Sequence, residues 1–110
     1  MATISNLYVD AGSTYSNIIT VTASNGQALN LSGYSVASQM RKSYQSSTYH
    51  SFTATVYDAA NGKIRLQLTD EQSQAINPGR WLYDVEIESP SGARTRVVEG
   101  IVTVNPQITQ

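Results

Sequence analysis

Pro78-Gly79-Arg80-Trp81-Leu82-Tyr83-Asp84-Val85-Glu86-Ile87 is the stretch that decides how this chain folds. Trp81, Tyr83, Val85 and Ile87 alternate with Leu82, Asp84, Glu86 and Glu88, the period of a strand with one dry face and one wet face. Just upstream, Gly62-Lys63-Ile64-Arg65-Leu66-Gln67-Leu68-Thr69 repeats the pattern, with Ile64, Leu66 and Leu68 set against Lys63, Arg65 and Gln67. Between the two lies the chain's helical signal. Thr69 is placed to cap a short helix over Asp70 to Ile76, with Gln72 three residues on as its reciprocal partner. Asp70 and Glu71 sit where the helix dipole favours negative charge, and Pro78-Gly79 stops the element. So short a helix does not stand alone, so one or two turns near 70–76 are expected to bridge two strands.

Working outward, the period of two continues. Ile4 to Val9 is a first strand, and Tyr15 to Thr22 is a β-branched second one. Ser24-Asn25-Gly26-Gln27 carries turn chemistry, since Asn-Gly supplies positive φ angles. Leu29-Asn30-Leu31-Ser32-Gly33-Tyr34 leads into a third strand that places Tyr34, Val36 and Met40 on one face. Residues 43–51 have no periodicity and read as an exposed loop or an irregular hairpin end. Phe52, Ala54 and Val56 then form a fourth strand, turned at Asp58-Ala59-Ala60-Asn61-Gly62. After Ser89-Pro90-Ser91-Gly92, a long last strand runs from Ala93 to Val104. Its mixed pattern is expected to need a bulge near Glu99-Gly100. About seven strands at this spacing predict an all-β, antiparallel β-sandwich forming a single domain over residues 1–110.

Composition narrows the functional classes. The chain has 110 residues, of which 40% are apolar and 14% charged, and it has no cysteine. Seven Lys+Arg against eight Asp+Glu leave a net charge of −1, so no basic field gathers nucleic acid or anionic lipid. Thiol chemistry, a disulfide framework and Cys-ligated zinc are excluded. MATISNLYVD does not read as a signal peptide, and no apolar run approaches a membrane span of about 18 residues. Synthesis in a cytoplasm is therefore expected. Charge is low for a soluble domain, and Ser, Thr, Asn and Gln carry the polar load, as in proteins that pack against neighbours.

A search for chemistry returns little. The one histidine, His50, has no carboxylate close in sequence to orient it as a catalytic base. Asp84, Glu86 and Glu88 share a strand face, but Arg94 and Arg96 on the next strand can offset them if a bulged turn sets the register. No phosphate loop and no metal-ligand spacing occurs, so no catalytic, cofactor-binding or metal-binding residue is expected. Tyr44, Tyr49 and His50 among serines are the candidate contact residues: rigid amphipathic rings with small hydrogen-bonding neighbours. Tyr83, entering a strand after a helical turn, resembles the tyrosine corner of Greek-key sandwiches.

Read as one string, the chain resembles small immunoglobulin-like β-sandwich modules from the virions of tailed bacteriophages. The resemblance rests on Asp10-Ala11-Gly12-Ser13-Thr14, on Leu29 to Tyr34 with Met40-Arg41, on Gly62 to Thr69, and on Pro78 to Ile87. Gly92, Glu99-Gly100 and the valine-rich last strand complete it. The resemblance implies a non-enzymatic virion structural protein of a tailed, myovirus-type phage, in tail or baseplate or on the capsid surface. It implies other virion proteins as partners and no catalytic residues; a homo-oligomer is also expected as an option, and the charge and motif reading above points to no cofactor, nucleic acid or membrane. The alternative expectation is a free-standing carbohydrate- or ligand-binding module that uses the Tyr44–His50 loop. An enzyme would require Asp84, Glu86 or Glu88 to line a cleft.

Overall fold

The computed structural model describes residues 3–23, 26–43, 45 and 47–106. Among these, eight strands and one helix follow in order: β1 (Thr3–Ile4), β2 (Leu7–Asp10), β3 (Tyr15–Thr20), β4 (Ser35–Arg41), β5 (Tyr49–Asp58), β6 (Lys63–Leu68), α1 (Asp70–Gln74), β7 (Gly79–Glu88) and β8 (Arg94–Asn105). The strands join in one sheet in the order β1-β8-β7-β4-β5-β6-β3, with β2 also on β8. The pivot is β5. Its first residues, Tyr49–Phe52, pair with β4, and Thr53–Asp58 pair with β6. The sheet therefore curls round on β5 into a half-barrel, nearly all β, with its core in the concavity.

The alternation read from the sequence sets what fills that core. Ile64, Leu66 and Leu68 of β6 are buried, as are Trp81, Tyr83, Val85 and Ile87 of β7. Each such side chain contributes roughly 1.5–3 kcal/mol by leaving water. Tyr15, Phe52 and Tyr83 form a run of rings, Tyr15 tilted on Phe52 at 5.9 Å and Phe52 edge-on to Tyr83 at 6.1 Å. The helix forms as expected. The Gln72 N–H donates to Thr69 Oγ1 at 3.1 Å, and the Thr69 N–H donates to Gln72 Oε1 at 2.8 Å. Buried Ser73 ties the helix to the turn after β2, accepting from the Gly12 N–H and donating to the Ser13 carbonyl at 2.7 Å.

Four expectations are corrected. The sheet is mixed rather than antiparallel throughout, because β1 and β2 pair parallel with β8. β2 ends with Asp10 beside Asn105, and the chain then turns through residues 11–14 into β3, which starts opposite Leu68. The first strand is divided, with Ser5-Asn6 between β1 and β2. The bulge in β8 falls at Val97, left between Val85↔Val98 and Glu86↔Arg96, rather than at Glu99-Gly100. Gly100 has another cause: a Cβ there would collide with the Ser5 carbonyl. Finally, Tyr49 and His50 belong to β5 and not to a loop, because pairing with Arg41 and Met40 extends the strand past its apolar core. Ser24, Asn25 and Tyr44, on which two of the expectations fell, lie outside the described residues.

Candidate functional site

The outer faces of β4, β7 and β8 form a polar trough of about 410 Å³. Gln39 and Arg41 come from β4, Asp84 and Glu86 from β7, and Arg94, Arg96 and Glu99 from β8. The bulge at Val97 sets the register, bringing Glu86 opposite Arg96 and Glu88 opposite Arg94. Arg96 then lies 3.2 Å from Asp84 and 3.3 Å from Glu99, while Arg94 reaches Glu88 at 3.6 Å. Burial pushes the Asp84 carboxyl above its ordinary range, with the Glu86 charge adding and Arg96 opposing. The trough is thus a set of acids and arginines that largely neutralise one another. Among the described residues, no group of three or more His, Asp or Glu could hold a metal ion.

Tyr49 and His50 do not form one patch. Successive strand residues point to opposite faces, and the ring contacts follow that rule. Arg41 stacks on the exposed Tyr49 ring at 4.8 Å, on the trough side. His50 meets buried Trp81 edge-on at 5.2 Å, on the core side. Lys42 covers the same indole at 4.6 Å and donates to the Arg80 carbonyl. His50 therefore helps close one end of the core, and Tyr49 extends the trough.

The two ends of the sheet are built differently. At the β8 end, Tyr83 Oη donates to the Ser5 carbonyl at 2.5 Å, and the Ile101 N–H donates to Asn6 Oδ1 at 3.1 Å. Tyr83 is therefore no tyrosine corner, since its acceptor lies 78 residues upstream rather than a few. Burial pushes its hydroxyl up to about 12 from the ordinary 10.0. At the other end, β3 pairs, among the described residues, with β6 alone and presents exposed Ser16, Ile18 and Thr20. Sequence reasoning named β3 as a strand but gave it no site. The signal was present, however, in six consecutive residues without a charge, proline or glycine.

These observations define a small curled all-β module with a polar outer trough and one open sheet edge. A solved structure, the N-terminal domain of phage TP901-1 ORF48, shares this fold. The TM-score is 0.64 at 14% sequence identity, over 92% of this chain and 85% of that one. At that identity the likeness is one of fold. No protein-family profile matches the chain, and no curated protein sequence matches it. Among the described residues, no helix is long and apolar enough to cross a membrane.

Proposed function

We propose that the chain is a virion structural protein of a tailed bacteriophage: a single immunoglobulin-like sandwich domain that works by binding other virion subunits. The observation that carries this reading is the fold shared with a phage protein domain over nearly the whole of both chains. The residues behind the sequence resemblance support it, because they are those that shape the fold. Asp10–Thr14 is the turn that receives Ser73, and Gly62 to Thr69 is β6 with its helix cap. The role in this reading is non-enzymatic: Asp84 and Glu99 of the trough are tied to Arg96 in a half-exposed sheet face. Tail, baseplate and capsid surface are the candidate locations, and the phage is of myovirus type. Mass spectrometry of purified particles tests the proposal. The chain's peptides are expected at stoichiometric yield, and their absence from the particle would refute it.

A second reading, a carbohydrate- or ligand-binding module, is favoured by one observation, the trough bordered by Tyr49 through Arg41. A glycan array separates the two. Binding that disappears in a Tyr49→Ala/Asp84→Asn double variant supports the module, and no binding supports the structural role.

A further inference from the structure

The ladder between β3 and β6 fixes which backbone groups of β3 remain free. The Val21 N–H donates to the Gly62 carbonyl at 2.7 Å, continuing the register Thr20↔Lys63. In an antiparallel pair, residues alternate between hydrogen-bonded and non-bonded positions. Tyr15, Asn17 and Ile19 share the parity of Val21, so their N–H and C=O groups serve β6. Those of Ser16, Ile18 and Thr20 point away from it, and no strand lies there among the described residues.

Proteins commonly blunt such an edge with charge, proline, a bulge or brevity. The β1 and β2 edge shows these devices: two and four residues, interrupted at Ser5-Asn6 and ending on Asp10. The β3 edge shows none. Tyr-Ser-Asn-Ile-Ile-Thr is six continuous residues with no net charge and strong β character, the composition of a segment that pairs with its own kind.

We infer that β3 is the interface for a second copy of this chain, its edge pairing antiparallel with its own counterpart about a two-fold axis at Ile18. The geometry selects that register. Centring on Ile18 sets Ile18 opposite Ile18 and Ser16 opposite Thr20, so every free N–H of the segment meets a free C=O. It also keeps outward residues opposite outward ones, placing the half-exposed Ile18 side chains (42% of their surface) together on one face. No like charges meet across the seam. Two cations lie one strand in on that face: Arg65 opposite Ile18, and Lys63 opposite Thr20, whose hydroxyl accepts from Lys63 Nζ at 3.4 Å. By backbone position each would be at least three strand spacings from its counterpart in the other copy, about 14 Å and beyond the screening length of about 8 Å. A two-fold contact of this kind closes at a dimer. The inference deepens the structural reading above by naming the partner of one surface.

Sedimentation of the full chain over a concentration series tests it, together with two cysteine variants, which carry the protein's only thiol. The wild type is expected to pass from monomer to dimer and no further. Ile18→Pro removes an outward-facing N–H that β6 does not use, so it is expected to weaken the dimer roughly tenfold or more while folding normally. Under mild oxidation Ile18→Cys is expected to cross-link efficiently, because facing residues in a hydrogen-bonded pair have Cα atoms about 5.5 Å apart. Ser16→Cys is expected not to, since the two copies of residue 16 are four residues out of register. A monomer at all concentrations, a ladder of higher masses, or equal cross-linking at both positions would overturn the inference. The result is independent of the particle experiment. A monomeric chain found in particles sinks the pairing alone, and a dimer absent from particles sinks the virion reading alone.

Discussion

The two ends of this one sheet meet the same physical problem with opposite solutions. At the β8 end, the edge is covered by short pieces of chain held by side chains: Tyr83 on the Ser5 carbonyl, Asn6 on the Ile101 N–H, and Gly100 making room for both. At the other end, β3 has, among the described residues, no strand on its outer edge, which leaves a row of backbone donors and acceptors on an uncharged strand. An unpaired edge invites association. The difference therefore teaches where this molecule is finished and where it is prepared to continue. The β8 end should be sensitive to substitution in stability, and the β3 end in association.

The largest effect is expected at Gly100. A Cβ there meets backbone rather than a yielding side chain, so Gly100→Ala should cost about 2–3 kcal/mol in urea denaturation and loosen residues 3–10 from β8. An unchanged midpoint would break the contrast. Next comes Tyr83→Phe, which leaves the Ser5 carbonyl unpaired and should cost about 1–2 kcal/mol. Its signature is alkaline. The folded hydroxyl holds its proton to about 12, whereas the unfolded one releases it near 10.0. The stability it contributes is thus complete below pH 10 and lost as pH rises from 10 to 12. Comparing melts of the two proteins across that window should show a shallower fall in the Phe variant.

Smaller effects are expected in the trough. Arg96→Ala removes ion pairs to Asp84 and Glu99 in a wet setting, and should cost no more than about 1 kcal/mol, less in high salt. Asp84 acts in the opposite sense to a strongly paired acid. Its raised pKa means the folded state prefers the protonated form, so its contribution is greatest at acid pH and declines as pH rises through the folded pKa. The stability of the wild type relative to Asp84→Asn should therefore fall between acid and neutral pH, as read by thermal melts. Smallest of all is Ile18→Lys. In dilute monomer it should change stability by less than about 0.5 kcal/mol, yet it should abolish the dimer expected at higher concentration.

What could be read in the sequence was local or periodic. The alternation of Ile64, Leu66 and Leu68, that of Trp81 to Ile87, and the Thr69–Gln72 cap all depend on neighbours within a few residues, and all appear as read. What escaped depends on which strand lies beside which. Alternation carries no direction, so the parallel pairing of β2 with β8 left no trace. Nothing around Tyr83 names Ser5 as its partner. In β8 the adjacent Val97-Val98 pair was itself the mark of the bulge, and Gly100 drew attention because one residue type serves both bulges and close approaches. Tyr49 and His50 looked like a loop because polar residues flank them, although pairing with β4 makes them a strand and sends them to opposite faces. The candidate contact residues were therefore legible as individuals and not as an arrangement.

Residue-resolved amide hydrogen exchange at low and high protein concentration tests the contrast most directly. The amides of Tyr15, Asn17 and Ile19 should be protected at both concentrations, because β6 holds them. Those of Ser16, Ile18 and Thr20 should exchange freely when dilute and become protected when concentrated, with Ile18 changing together with its neighbours. If those three amides exchange freely at every concentration, or are protected even when dilute, β3 is not the open end of this molecule.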